Sequence, residues 1–559
     1  MRILFLVHAF NSLSQRLHVE LASRGHELAV EFDVNDASTR GAVTRFGPDL
    51  VLAPYLKRAI PESVWRRHTC LVVHPGPPGD RGPAALDWAV LHGERAWGVT
   101  VLQAEAEMDA GPIWAHRRFS LRDAAKSSLY RHEVTEAAVA AVLEAVDKFA
   151  DGGFEPRPQD PAAARVRPAV PQSARAVDWA RDETATILRR IRSADGVPGL
   201  RDELEGRVLY LYDAHPEPVL RGTPGALLAR CGPAVCRATV DGALWIGHLR
   251  DPSSEHPFKL PAVQVLGKRA ERLPLAEGYH EIRYEERGRV GLIHFPFYNG
   301  AMSTDQCRAL LRVYRAARRR PVRVLVLFGG EDFWSNGMHL NRIEAADSPA
   351  DESWRNINAL DDLAQAILET DDRITVAALH GNAGAGGVYL ARAADLVWAR
   401  RGVILNPHYK DMGNLYGSEF WTYSLPRRVG MDEARRIMAR RLPMGVDEAR
   451  DKGLVDEVID ARFQAFQQAV IERALALADR SLWRARMAAK RRRLRAEVER
   501  KPFAAYRAEE LAHMWLDFYG FDPSYHVARH HFVHKVPKAR TPLTLAPHRR
   551  PVALRRSAT

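Results

Sequence analysis

The stretch Gly381 to Leu390, GNAGAGGVYL, constrains this chain more than any other. It follows the apolar, strand-like run Ile374 to Leu379. It leads into a helix-like run, Tyr389 to Ala394, and then a second strand, Asp395 to Ala399. A glycine-rich turn between a buried strand and a helix aims backbone N–H groups at one point, where a phosphate or a developing oxyanion can sit. Glycine also serves tight strand–helix packing, so the turn alone leaves both readings open.

Other segments repeat the pattern. Val324 to Phe328 (VLVLF) reads as a buried strand, followed by the loop GGEDFWSNGMHL with Gly337. Val290 to Phe295 is a strand followed by Tyr298-Asn299-Gly300-Ala301-Met302-Ser303, and Met444 to Ala449 and Gly453 to Val458 close the series. Together these resemble the crotonase (enoyl-CoA hydratase/isomerase) superfamily over roughly residues 280–480. The resemblance implies that the amides of Met338 and Gly386 polarise the thioester carbonyl of a coenzyme A ester. Two positions depart from the hydratases, which carry glutamates there: one is Tyr389, and the other falls near Asn406-Pro407-His408, with His408 the nearest match. The resemblance therefore implies a retained oxyanion hole without the water-addition machinery.

The N-terminal third alternates strands (Arg2 to Val7, His26 to Asp33, Asp49 to Pro54, Cys70 to Val73) with helices (Ser14 to Ser23, Ser63 to Arg67). This order predicts a parallel sheet with crossover helices, whose ligands lie beyond the carboxyl ends of the strands. His74 stands at such an end and Asp109 in a later loop; the two make an acid–base pair, or His74 is a loop histidine bonded for structure. The run HPG…RGPAALDWAVLHG…WGVTV…MDAGPI resembles the formyltransferase fold of enzymes that use 10-formyltetrahydrofolate, over roughly residues 1–150. That family's His and Asp match His74 and Asp109, whereas its Asn position is Val72 here. The loop from Ala53 to Pro61 resembles the family's pterin-side loop, which implies folate contacts at Tyr55, Leu56, Lys57 and Ile60.

Residues Gly153 to Gln172, rich in Pro, Ala and Arg, read as a linker. The helix-like run Thr184 to Arg192 and short alternating strands up to Ile246, punctuated by glycines, predict a small β-barrel. It resembles the C-terminal domain of methionyl-tRNA formyltransferase. The expected organisation is α/β and multidomain: a Rossmann-like formyltransferase domain (1–152), a linker with the small β-barrel (153–275) and a crotonase-like α/β domain with a helical C-terminal end (276–559).

The net charge of +12 is spread along the chain, and the densest run, Lys490-Arg491-Arg492-Arg493, reads as a solvated helix face, so no nucleic acid is expected. No apolar run reaches the ~18 residues that cross a bilayer, and the four cysteines lack metal-like pair spacing, which places the chain in a reducing cytoplasm away from membranes. His526, His530, His531 and His534 include i, i+4 pairs suited to a metal. No Cys or carboxylate joins them at ligand spacing, so a packed or solvated helix, without metal, is expected.

A folate-type formyltransferase domain fused to a crotonase-type domain, with the motifs HPGPPGDRGP, GNAGAGGVYL, LYGSEFW and GFDPSYHVARHHFVHK, resembles the HypX/HoxX family of hydrogenase maturation proteins along the whole length. The resemblance implies synthesis of carbon monoxide for the iron of a [NiFe]-hydrogenase. Formyl passes from 10-formyltetrahydrofolate to coenzyme A, and formyl-CoA is then decarbonylated. The first step falls to His74 and Asp109, and the proton of the second to Tyr389 and Glu419, with His408 a third candidate. Partners would be small-molecule substrates and hydrogenase maturation proteins or the hydrogenase large subunit. Two other readings remain: an amine-directed formyltransferase with a degenerate crotonase domain, and a non-enzymatic hydrogenase-assembly scaffold.

Overall fold

The computed structural model describes residues 1–204 and 206–550. The chain forms two compact units. The first takes Met1–Tyr279 and also residues 537–550; the second is His280–Val536. The expected boundary at residue 152 is not a division between compact bodies, and residues 537–550, expected in the crotonase-like domain, belong to the first unit. Residues 551–559 of that expected domain lie outside the described residues.

In the first unit, Arg2–Val7, Glu27–Phe32, Leu50–Tyr55 and Cys70–His74 are parallel strands, as their near-continuous apolar runs require of strands covered on both faces. Two further strands, Ala96–Gln103 and Ile113–Ser120, add antiparallel beyond Cys70–His74. The expected barrel strands make an antiparallel sheet that runs from Leu227–Cys231 to Leu200–Leu204. It packs on the helix Thr184–Ser193 through Ile187, Ile191, Leu209, Leu211, Leu244 and Ile246.

Residues 153–172 are not a free linker. Arg165–Val166 pairs in parallel with Asp80–Arg81, and the Gln159 amide donates to the carbonyls of Asp109 (2.9 Å) and Gly111 (2.8 Å).

Glu27–Phe32 is an edge strand, and the C-terminal segment covers it. The Val30 amide donates to the Leu545 carbonyl and the Phe32 amide to the Thr541 hydroxyl. Glu31, fully buried, accepts from Thr541, His548 and the Nε and Nη2 of Arg549, at 2.6–2.9 Å. Removing one member of a buried ion pair typically costs about 3–5 kcal/mol, because the other charge stays buried. Glu31→Ala is therefore expected to destabilise the first unit by a comparable margin, read as a lower urea midpoint of the transition that carries it; an unchanged midpoint would mean the segment adds no stability.

The second unit has one antiparallel and four parallel pairings in the order Arg283–Arg287, Val290–His294, Val324–Phe328, Ile374–Leu379, Leu396–Arg400, Glu457–Ile459. Val324–Phe328 explains its apolar run. Leu325 and Leu327 face one core, with the helices Thr304–Ala317 and Pro349–Leu368; Val324, Val326 and Phe328 face another, with Phe466, Val470 and Ala474. A small four-stranded sheet, Phe333–Ser335, Asn382–Gly384, Ile404–Asn406 and Met444–Gly445, sets the glycine turn. The basic run is not wholly solvated. Lys490 is buried, pairs with Asp395 at 2.5 Å and donates to the Arg373 carbonyl, while Arg491, Arg492 and Arg493 are exposed. No helix among the described residues is long and apolar enough to cross a membrane.

Candidate active sites

His74 ends its strand buried, between two carboxylates. Its Nε2 is 3.0 Å from Asp80 Oδ1 and its Nδ1 3.6 Å from Asp109 Oδ2. Asp80 is also buried and meets Arg167 Nε at 2.9 Å through its second oxygen. A carboxylate that pairs with arginine only accepts, so Asp80 is placed to accept a hydrogen bond from Nε2–H, while Nδ1 faces Asp109.

Asp109 sits at φ 58°, in the left-handed region, where Asp is among the few side chains tolerated. It is held there by accepting from the Gly82 amide at 3.0 Å and by the Gln159 bond to its carbonyl. The close packing needs Gly76, because a Cβ there would meet the His74 ring and the Asp80 carboxylate.

Asp80, Gln159 and Arg167 were not found by sequence reasoning. The signal for Asp80 lay within HPGPPGDRGP, but the other two sit in a segment that reads as filler. Of the folate-loop residues, Tyr55 stands edge-on to His8 and Tyr130, and Leu56, like Val72, packs against the apolar cluster that includes Val51 and Ala53. Lys57 is exposed and Ile60 buried. Beside the loop is a small cavity lined by Leu6, Asp33, Asn35, Leu56 and Arg58.

The glycine turn lies in the second unit. Ala385, at φ 47°, turns the chain, and Gly386 opens a helix, so its amide precedes the helical ladder. Gly337, at φ 76°, lies against it; a Cβ on Gly337 would be 3.6 Å from the Gly386 nitrogen. Met338 follows Gly337 and is placed by a bridge to Met302.

Glu419 projects into the same place: a Cβ on Gly386 would collide with its carboxyl oxygens. Glu419 and Phe420 are both left-handed, at φ 59° and 62°. Two buried acids bracket them. Asp361 accepts from the Ser418 hydroxyl and the Glu419 amide, and Glu510 accepts from the Phe420 and Thr422 amides. Burial, and then the charge of Asp361, push the carboxyls of Glu419 and Glu510 each up to about 8. Burial raises Asp361 as well.

Tyr409 donates to Glu419 Oε2 at 2.7 Å. Tyr389 is fully buried and stacks on Tyr409, but its hydroxyl donates to the Pro407 carbonyl and faces Met438 Sδ. Burial, and then Glu419, hold both phenol protons more tightly than usual. His408 is buried and its imidazole is lowered by desolvation. The phenol on Glu419 is thus that of Tyr409, the neighbour of the histidine that the sequence singles out. Gly386→Ala is expected to displace Glu419 and to lower turnover in this unit about 10- to 100-fold, since an ångström of misplacement typically costs that much. Unchanged turnover would remove Glu419 from the site.

A strand-end His flanked by carboxylates and a glycine turn facing a buried Glu define a two-site protein, formyltransferase-like in its first unit and crotonase-like in its second. Residues 19–146 match the formyl transferase family and residues 290–516 the enoyl-CoA hydratase/isomerase family. The chain is 58% identical over 98% of its length, and 97% of the relative's, to "Hydrogenase maturation factor HoxX" of Bradyrhizobium diazoefficiens. It superposes with a TM-score of 0.95 on HypX from Aquifex aeolicus in complex with tetrahydrofolic acid, at 48% identity and 99% coverage of both chains. A methionyl-tRNA formyltransferase of Roseiflexus castenholzii is 32% identical over 38% of this chain and 62% of that protein. The chain belongs to the HoxX/HypX family of hydrogenase maturation factors, and its formyltransferase and crotonase-like domains mark it as an enzyme.

Proposed function

We propose that the chain makes carbon monoxide for hydrogenase iron in two steps: formyl transfer from 10-formyltetrahydrofolate to coenzyme A, then decarbonylation of formyl-CoA. The observation that carries this reading is Glu419, a buried carboxyl with its proton affinity near neutrality, set against the amide of Gly386. Formyl-CoA has no β-carbon, so a crotonase-like site can only take its formyl proton and release the thiolate.

In the first unit His74 Nδ1 takes the thiol proton, oriented by Asp80, and Asp109 assists its delivery to the folate nitrogen as the carbonyl carbon moves from nitrogen to sulfur. Tyr55, Leu56, Lys57 and Ile60 hold the pterin side; the tetrahydrofolate complex of the Aquifex aeolicus relative supports folate as the donor. In the second unit the Met338 and Gly386 amides hold the carbonyl oxygen, each donor worth about 3 kcal/mol. Glu419 removes the formyl proton as the C–S bond breaks, and the thiolate receives a proton in turn, so formyl-CoA becomes CO and coenzyme A. Tyr409 fixes the Glu419 carboxyl, and Tyr389 supports Tyr409. We place the reaction, and its partners in hydrogenase assembly, in the cytoplasm.

The test supplies the pure chain with 10-formyltetrahydrofolate and coenzyme A and reads CO with a haem reporter. CO that requires both substrates is expected. Formyl transfer to an amine without CO would favour the amine-directed alternative, and no turnover at all would favour a scaffold.

A further inference from the structure

The geometry points to a divalent transition-metal site, of zinc type, built from Glu344, His530 and His534 in the second unit. The four histidines near the C-terminus lacked a carboxylate at ligand spacing in the sequence. The fold supplies one from 186 residues upstream: Glu344 ends the helix Leu340–Glu344 beside the helix Ser524–Val533.

His530 and His534 are four residues apart and so share one helix face, with ring centroids 4.1 Å apart. Glu344 Oε1 lies 3.0 Å from His530 Nδ1 and 3.4 Å from His534 Nε2, and all three ligand atoms fall within 4.8 Å of one another. Ligands about 2.0–2.1 Å from a tetrahedral zinc stand about 3.3 Å from each other, so the two edges already have the spacing a bound cation needs.

The rest of the surroundings sort ligand from support. Arg529 Nε holds the other Glu344 oxygen at 2.7 Å, which orients Oε1 toward the histidines, as outer-shell partners of metal ligands do. His526 is committed, with Nε2 on the Phe518 carbonyl and Nδ1 on Arg529. His531 is exposed and sits outside the cluster. Two imidazoles and one carboxylate form a borderline donor set that favours Zn2+ and its neighbours over Mg2+ or Ca2+. The charge of Arg529 beside the carboxylate, and the exposure of both rings, point to reversible rather than permanent loading.

The experiment titrates the untagged, chelator-treated full chain with zinc chloride by calorimetry, and with cobalt(II), following its visible d–d absorption. One equivalent per chain is expected, with the intense bands of low-symmetry cobalt. His530→Ala and His534→Ala should each weaken binding at least tenfold and the double variant abolish it, whereas His531→Ala should bind as the parent does. Both rings are exposed, so these variants keep the fold, which circular dichroism verifies. Absence of binding in the parent chain, or binding equally strong in the double variant, overturns the site.

Discussion

Glu419→Gln is expected to cut CO release by about 100- to 10,000-fold, the usual cost of a lost general acid or base, while tetrahydrofolate is still released. The change keeps the shape and removes the basic carboxylate, so the loss reports on proton transfer. Formyl-CoA, or formate from its hydrolysis, should accumulate. The pH profile is a second readout. The Glu419 carboxyl sits at about 8, so the basic form grows as pH rises. CO release should climb through that range in the parent chain, and the climb should vanish in the Gln variant. Tyr409→Phe, which removes the hydroxyl on Glu419, should lower CO release more than Tyr389→Phe, whose hydroxyl serves the Pro407 carbonyl. Equal CO output in parent and Glu419→Gln would dismiss Glu419 as the base.

His74→Ala is expected to stop tetrahydrofolate release and CO together, because the second step draws on the first, with a loss of the same order. Formyl-CoA supplied directly should still yield CO from this variant, which separates a broken site from a misfolded chain. Asp109→Asn should follow His74→Ala. Asp80→Asn keeps the shape but removes the charge that holds His74 and Arg167, and is expected to lower tetrahydrofolate release. Near-normal folate turnover in both His74→Ala and Asp109→Asn would end the assignment of these residues.

Much of the frame was legible because buried parallel strands and glycine turns leave local marks. VLVLF and ITVAAL read as strands since both their faces are covered, and each is followed by a glycine-bearing loop; the pairing of the Met338 and Gly386 amides is what the crotonase resemblance implies. His74 and Asp109 were marked by strand-end position, and the structure brings them within 3.6 Å. What stayed hidden depends on distant pairing. Arg167 matters only through Asp80, which is remote in sequence, and nothing in a Pro- and Ala-rich stretch announces that it lies along Asp80–Arg81. Lys490 reads as one more cation in a basic helix until Asp395 is seen beneath it. Tyr409 was missed because the helical and strand periodicities lapse there, and only the fold shows that it, rather than His408, meets Glu419. Likewise Tyr389 sits where its turn requires, but its hydroxyl is spent on a backbone carbonyl.

The cover on the edge strand sets an order on how the chain becomes a protein. Phe32 waits for a partner, Thr541, that lies 509 residues later. At about 5–20 residues per second, the ribosome needs on the order of a minute to supply it. During that interval Glu31 has no cation and the strand presents open hydrogen-bonding groups, the kind of edge on which other chains can pair. The whole second unit is synthesised within the interval and has its own core, so it can be complete while the unit begun earlier is still unfinished. Residues 541–549 thus close the first sheet only after the second unit has been made, and a chain cut short before residue 541 leaves that edge uncovered.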